Sequence, residues 1–159
     1  LHVYIIAVGK IREAYIAVGI GHYLKRLRAY GRFVIREIKE ESYRDPLSPG
    51  QTEQVLKAEG ERLLAAVPPD SFVVALTPQG QLYSSPELAK LMGDLIVRGQ
   101  SKFAFLIGGS LGLSSEVLDR ADLCLSFSPL TFPHQLFRLM LLEQLYRAAT
   151  ILRGEPYHR

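Results

Sequence analysis

Apolar positions along this chain gather into short runs separated by longer amphipathic stretches. Val3-Tyr4-Ile5-Ile6-Ala7-Val8 is nearly continuous and is closed by Gly9, while Phe33-Val34-Ile35-Arg36-Glu37-Ile38 is more polar. Phe72-Val73-Val74-Ala75-Leu76, Phe103-Ala104-Phe105-Leu106 and Leu123-Cys124-Leu125-Ser126 are apolar again. Short runs of Val, Ile, Leu and Phe bounded by turn residues read as strands buried on both faces. Helical segments with recognisable starts lie between them. Ser48-Pro49 opens a stretch to Ala66, Ser85-Pro86-Glu87 places Ser at a cap and Pro in the first turn, and Ser114-Ser115-Glu116 opens a shorter one. The alternation predicts an α/β fold: a mostly parallel sheet of five to six strands with helices on both faces. Glu40 to Gly50 is polar but joins elements of the same pattern, so residues 1–159 read as a single domain.

The last helix, from about Pro133 to Leu152, carries a second pattern. Phe137, Leu141, Leu145, Ala148 and Leu152 form one stripe suited to packing on the sheet. Leu136, Leu139, Met140, Leu142 and Tyr146 fall outside it. A helix apolar on more than one face needs a second partner surface, and the expected partner is another copy related by a two-fold axis. The alternative is a helix sunk centrally in its own domain.

Composition narrows the class without choosing a function. With 159 residues, 48% hydrophobic and 22% charged, the chain can bury a core of its own. A net charge of +3 and a pI of about 9.1 permit a nucleic-acid partner without requiring one. The one cysteine forms no internal disulfide or zinc set, and its place in an apolar strand makes Cys124 a core residue. No apolar stretch approaches the roughly 20 residues of a membrane helix. The amino-terminal residues do not show a charged region followed by a long apolar run and a cleavage site, so a secretory leader is not expected. The expected compartment is the cytoplasm, with no membrane partner.

Two loops carry the candidate chemistry. Ile107-Gly108-Gly109-Ser110-Leu111-Gly112 and Phe127-Ser128-Pro129-Leu130-Thr131-Phe132-Pro133-His134-Gln135 each follow a buried strand and lead into a helix. Both belong at the carboxyl edge of the sheet, where open α/β sheets bind ligands. Glycines bring backbone amides close to a ligand, although this spacing matches neither a phosphate-cradling loop nor a dinucleotide fingerprint. The second loop adds aromatic faces, a rigid proline and free backbone groups, a mixture suited to a flat heteroaromatic ring such as adenine.

The residues also carry a resemblance. Ile-Gly-Gly-x-x-Gly, then Ser-Phe-Ser-x-x-Thr-Phe-Pro-His-Gln-x-x-Arg, then Glu143-Gln144-x-Tyr146-Arg147-Ala148, then Arg153-Gly154-Glu155-Pro156-Tyr157-His158-Arg159 are similar to the RlmH family of ribosomal RNA methyltransferases, small members of the SPOUT superfamily. The likeness runs from Val3-Tyr4-Ile5-Ile6-Ala7-Val8-Gly9-Lys10 to the last residue. It implies a trefoil-knotted α/β fold, a homodimer, and S-adenosylmethionine bound in the knot. The implied cofactor contacts fall on Leu76, Gly108, Phe127, Ser128, Pro129, Leu130, Thr131 and Phe132. The implied reaction is methylation of N3 of a pseudouridine in 23S rRNA of the assembled 70S ribosome, in a hairpin facing the small subunit. After Leu76 the chain reads Thr77-Pro78-Gln79-Gly80-Gln81, where many family members carry an acidic residue after the Leu and a Lys after the Gly. A backbone contact at Leu76 survives this departure better than side-chain contacts from the loop.

Methylating an imide nitrogen requires its proton to leave. Imidazole titrates near neutrality, so His158 can accept that proton directly or through water. Tyr157 can stack on the base, and Arg159 or Arg153 can hold phosphate or developing charge. A frayed tail is the bland alternative. His134 and Arg138, one helical turn apart, read equally as substrate contacts or as capping and core residues. Lys25, Arg26 and Arg28, beside Tyr23, Tyr30 and Arg32, read as an rRNA phosphate surface or as a solvated face. A noncatalytic dimeric RNA-binding module leaves the two loops without work. A nucleotide or flavin-phosphate enzyme lacks its magnesium carboxylates and loop lysine.

Overall fold

Five parallel strands and five helices arise where the hydrophobic pattern places them, in a computed structural model describing residues 1–159. The strands are β1 (His2–Val8), β2 (Arg32–Ile38), β3 (Phe72–Leu82), β4 (Lys102–Ile107) and β5 (Leu123–Ser126), in the spatial order β2-β1-β4-β3-β5. α1 (Ala14–Leu27) and α3 (Ser85–Val97) pack on one face together with α5 (His134–Leu152), and α2 (Pro49–Ala65) and α4 (Ser115–Arg120) cover the other. Alternate strand residues serve the two layers. Val3, Ile5 and Ala7 face α1, α3 and α5, whereas Tyr4, Ile6 and Val8 face α2 and α4.

Local chemistry sets the helix starts. Ser48 Oγ accepts from Gln51 N at 3.2 Å while Gln51 Oε1 accepts from Ser48 N at 2.9 Å, a reciprocal cap on α2. On α3 the cap is Ser84, paired in the same way with Glu87, one residue before the Ser85 expected from sequence. Ser85 is thereby released, and its hydroxyl donates to Gln144 Oε1 on α5 at 2.6 Å. No helix is long and apolar enough to cross a membrane.

The apolar faces of α5 find most of their partners inside the chain. Leu141, Leu142, Leu145, Ala148 and Ala149 are buried between the sheet, α1 and α3, whereas Leu152 of the expected stripe is 43% exposed. Gly19 on α1 faces Leu139, whose methyls would lie 2.9 Å from an added Cβ. Gly93 on α3 meets Leu152 in the same way, at 2.7 Å. Small residues on the flanking helices thus let α5 sink between them, and Leu139 and Leu142 do not require a second copy.

β3 outlasts its apolar run. It pairs with β5 at Val74–Leu76 and again at Gln81 and Leu82, with residues 77–80 looping out between. A Cβ on Gly80 would stand 2.7 Å from the backbone of Cys124 and Leu125, so this excursion crosses directly over β5.

Candidate active site

The two loops meet around one cavity of about 600 Å³ at the carboxyl edge, closed on a third side by the excursion of β3 and on a fourth by the first turn of α5. Leu76, Gly108, Phe127, Ser128, Leu130, Thr131, Phe132 and His134 all line it; Pro129 does not. Parallel strand order explains the convergence, since β4 and β5 flank β3 and all three end together.

Backbone geometry holds the glycine loop open. Gly112, at φ +89°, donates to the carbonyl of Gly109 at 3.1 Å. A Cβ on Gly108 would overlap the carbonyl of Gly112, so no other residue fits the turn. Gly109 rests on Val8 and on the carboxylate of Glu59, whose oxygens would lie 3.4 and 3.5 Å from an added Cβ. Burial pushes the Glu59 carboxyl above its usual range, and the amide of Glu41 donates to it at 3.0 Å. In the second loop, the buried Ser126 hydroxyl donates to Ser128 O at 3.1 Å, and Ser128 Oγ accepts from Leu130 N at 3.1 Å. Phe137 packs on Phe127 with ring centroids 4.7 Å apart.

His134 and Arg138 part company in the structure. His134 lines the cavity, and burial, followed by the charge of Arg138, lowers its pKa. Arg138 is 0% exposed: it donates to Glu37 Oε2 at 2.7 Å and to the carbonyls of Val8 and Gly9 at 3.4 and 3.1 Å. In this conformation it locks the start of α5 onto the ends of β1 and β2, the core alternative for this residue. Glu37, which also accepts from Ile11 N at 3.0 Å, carried no signal in the sequence that set it apart from a surface carboxylate.

The carboxyl-terminal residues lie elsewhere. The hydroxyl of Tyr30 is bonded to Glu155 and is pushed up to about 12 chiefly by that bond. Arg153 stacks on the Tyr30 ring at 4.5 Å and donates to Ala29 O at 2.9 Å. Tyr157 donates to Glu143 Oε1 at 3.1 Å, beneath the guanidinium of Arg147. Burial, then bonds to Tyr23 and Glu143, raise its pKa. His158 Nδ1 sits 3.2 Å from Arg147 Nη1. None of residues 153–159 lines the cavity of their own chain. Lys25, Arg26 and Arg28 also lie at the far end, because α1 runs from the carboxyl edge to the amino edge of the sheet. Glu143, quoted in a motif without a role, proves to be the hub: it accepts from Arg147, Gln144 and Tyr157 together.

With this geometry in view, comparison with known proteins decides the family. The family model described as "Predicted SPOUT methyltransferase" matches residues 1–158. The chain belongs to the SPOUT methyltransferases. Within that family it is similar to proteins named ribosomal RNA large subunit methyltransferase H. The one from Carboxydothermus hydrogenoformans is 54% identical over 159 residues, spanning 100% of both chains. The one from Listeria welshimeri is 50% identical, again over 100% of both. Among solved structures, a methyltransferase from Bordetella pertussis superposes with a TM-score of 0.55 at 16% identity, over 93% of this chain and 96% of that one. A methyltransferase from Legionella pneumophila, solved with its cofactor SAM, gives 0.52 at 14% identity, over 94% of this chain and 66% of that one. These two share the fold of the chain.

Proposed function

We propose that this SPOUT enzyme transfers a methyl group from S-adenosylmethionine to N3 of a pseudouridine in 23S rRNA, acting as a homodimer on the assembled 70S ribosome in the cytoplasm. One observation carries the reading: the glycine loop, the phenylalanine-bracketed loop and the end of β3 enclose one cavity whose lining includes no Lys, Arg, Asp or Glu. A nucleoside triphosphate or flavin phosphate held there would meet neither a side-chain cation nor a carboxylate-bound magnesium. A cationic, zwitterionic donor needs neither, and about 600 Å³ lies within the range of small-molecule sites. The sulfonium of S-adenosylmethionine supplies an activated methyl group when bound.

The chain's own residues divide the remaining work. Backbone groups at Leu76, Gly108, Phe127, Ser128, Leu130, Thr131 and Phe132 hold the donor, with the rings of Phe132 and Phe137 as apolar walls, and Pro129, set back from the cavity, stiffens the loop. His134, whose protonation is disfavoured by burial and by Arg138, suits a site that must hold a cation. Tyr157, His158 and Arg159 serve the target base: stacking, proton acceptance at N3 and stabilisation of the charge left on the ring oxygens. Their position supports supply by a partner. α5 has 19 residues, about 28 Å at 1.5 Å each, with the cavity at its start and the tail rooted at its end. A two-fold pairing that runs α5 helices antiparallel carries each tail toward the other cavity. Tyr15 and Val18 on α1, 65% and 74% exposed, extend the apolar surface open to such a partner. Lys25, Arg26, Arg28 and Arg153 then contact rRNA around the partner's cavity. The trefoil path belongs to the same proposal, and the crossing of Gly80 over β5 supports it.

Titration with S-adenosylmethionine, ATP and flavin mononucleotide tests the donor, and methyl transfer to 70S ribosomes, separated subunits and naked rRNA tests the acceptor. Binding of the first alone, with activity on the 70S particle, is expected. ATP binding without S-adenosylmethionine binding would overturn the reading.

A further inference from the structure

The amino edge of the sheet carries a row of cations that neither the donor cavity nor the tail uses. Arg32, His2 and Lys102 begin three adjacent strands and are direct register partners, His2 with Arg32 on one side and with Lys102 on the other. In parallel strands register partners point to the same face, here that of α2 and α4, away from α5. At about 4.8 Å between strands, Arg32 and Lys102 lie roughly 10 Å apart along the edge. Like charges side by side on neighbouring strands are destabilising. No carboxylate offsets them: none comes within 4.0 Å of Arg32, Arg36 or Lys102, although six other cations have one. Lys102 Nζ is turned to the carbonyl of Pro69 at 3.0 Å, and Arg36 lies over the Tyr4 ring at 4.7 Å.

His2 reports the resulting field. Its Nε2 is shielded and has no hydrogen-bond partner, and its pKa is lowered by burial, then by Arg32 and Lys102. Complementing the negative ends of helices accounts for Lys25 and Arg26 in the last turn of α1 and for Arg98 at the end of α3. It does not account for a row on strand starts.

We infer that the row of Arg32, His2 and Lys102 binds the phosphate backbone of the rRNA substrate. The inference rests on the proposed function for the identity of the polyanion and extends it to a surface on the side of the sheet opposite α5. There it remains open when two copies pair through α1 and α5, so RNA can lie along the amino edge of one subunit while its target base enters the cavity of the other.

The test is the double variant Arg32→Gln, Lys102→Gln in the full chain, with binding to a 23S rRNA fragment followed against salt and methylation followed on 70S ribosomes. Loss of two phosphate contacts lowers the slope of log K against log salt by about 1.4 and affinity by about tenfold near 0.15 M salt. KM for ribosomes rises correspondingly, while kcat and S-adenosylmethionine affinity stay at wild-type values. Removing adjacent like charges does not lower Tm. An unchanged slope and KM would overturn the inference. In the wild-type chain, adding the rRNA fragment must move the imidazole resonances of His2, and a spectrum without that movement would overturn it independently of any variant. If the slope falls as stated but wild-type protein methylates no ribosomal RNA, the surface stands and the proposed activity does not.

Discussion

Replacing Arg138 by Met separates a structural latch from an RNA contact more sharply than any other single change. The guanidinium makes a charge-assisted bond to Glu37 at 2.7 Å and two bonds to the carbonyls of Val8 and Gly9, all shielded from solvent on the arginine side. Bonds to charged groups contribute about 1.5–3 kcal/mol each at full strength, and breaking a buried ion pair costs about 3–5 kcal/mol. Two features reduce that figure. Glu37 is 37% exposed and regains water, and Arg138 Nε already lacks a partner, a penalty that Met removes. A loss of about 3 kcal/mol remains, which for a chain of this size lowers Tm by roughly 6–12 °C. Urea and thermal unfolding measure it, and titration with S-adenosylmethionine accompanies them because His134 and Phe137, on the same first turns of α5, line the cavity. Weaker donor binding is expected at temperatures where the variant is still folded. A variant within about 1 kcal/mol of wild type, but defective in RNA binding, would refute the latch and return Arg138 to the substrate.

The other expectations concern loops, tail and pH. Gly108→Ala places a methyl on the carbonyl of Gly112 and should abolish donor binding by calorimetry while far-UV circular dichroism shows the fold retained. Gly80→Ala forces the 77–80 excursion off β5 and should cost about 1–3 kcal/mol in urea unfolding, as overpacking does; a neutral result would mean the crossing is loose. Truncation after Gly154 should remove methylation and leave donor affinity intact. Mixing the truncated chain with Gly108→Ala should restore activity if tails act across the dimer, and no restoration argues for action within one chain. The lowered pKa of His134 means that the folded state resists its protonation, so its contribution to stability is complete above the unfolded value near 6.5 and is lost as pH falls below it. His134→Asn should therefore lose less urea stability than wild type between pH 8 and pH 5.5.

Local patterns make much of this fold legible in the sequence. Short apolar runs such as Val3–Val8 and Phe103–Leu106, rich in β-branched and aromatic residues and bounded by turn residues, read as strands covered on both sides, and helices between them leave a parallel sheet. Once the sheet is parallel, the Gly108 and Phe127 loops must share its carboxyl edge, because every strand ends there. The sequence is silent where a residue's partner is distant along the chain. Arg138 and Glu37 are 101 residues apart and Glu143 meets Tyr157 only after the chain turns back; no periodicity marks such pairs. A helical wheel shows the apolarity of α5 without its partners, and Gly19 and Gly93 leave no hydrophobic signal of the grooves that receive Leu139 and Leu152.

Sequence by itself therefore determined which segments are strands and helices, which loops reach the sheet edge, and which residues can do chemistry, since all three follow from side-chain type at short spacing. Tertiary structure alone decided that Arg138 faces inward, that the tail rests against α5 far from its own cavity, and that Arg32, His2 and Lys102 stand in a row. Those facts depend on strand register and helix direction, which long-range packing sets and neighbouring residues do not encode.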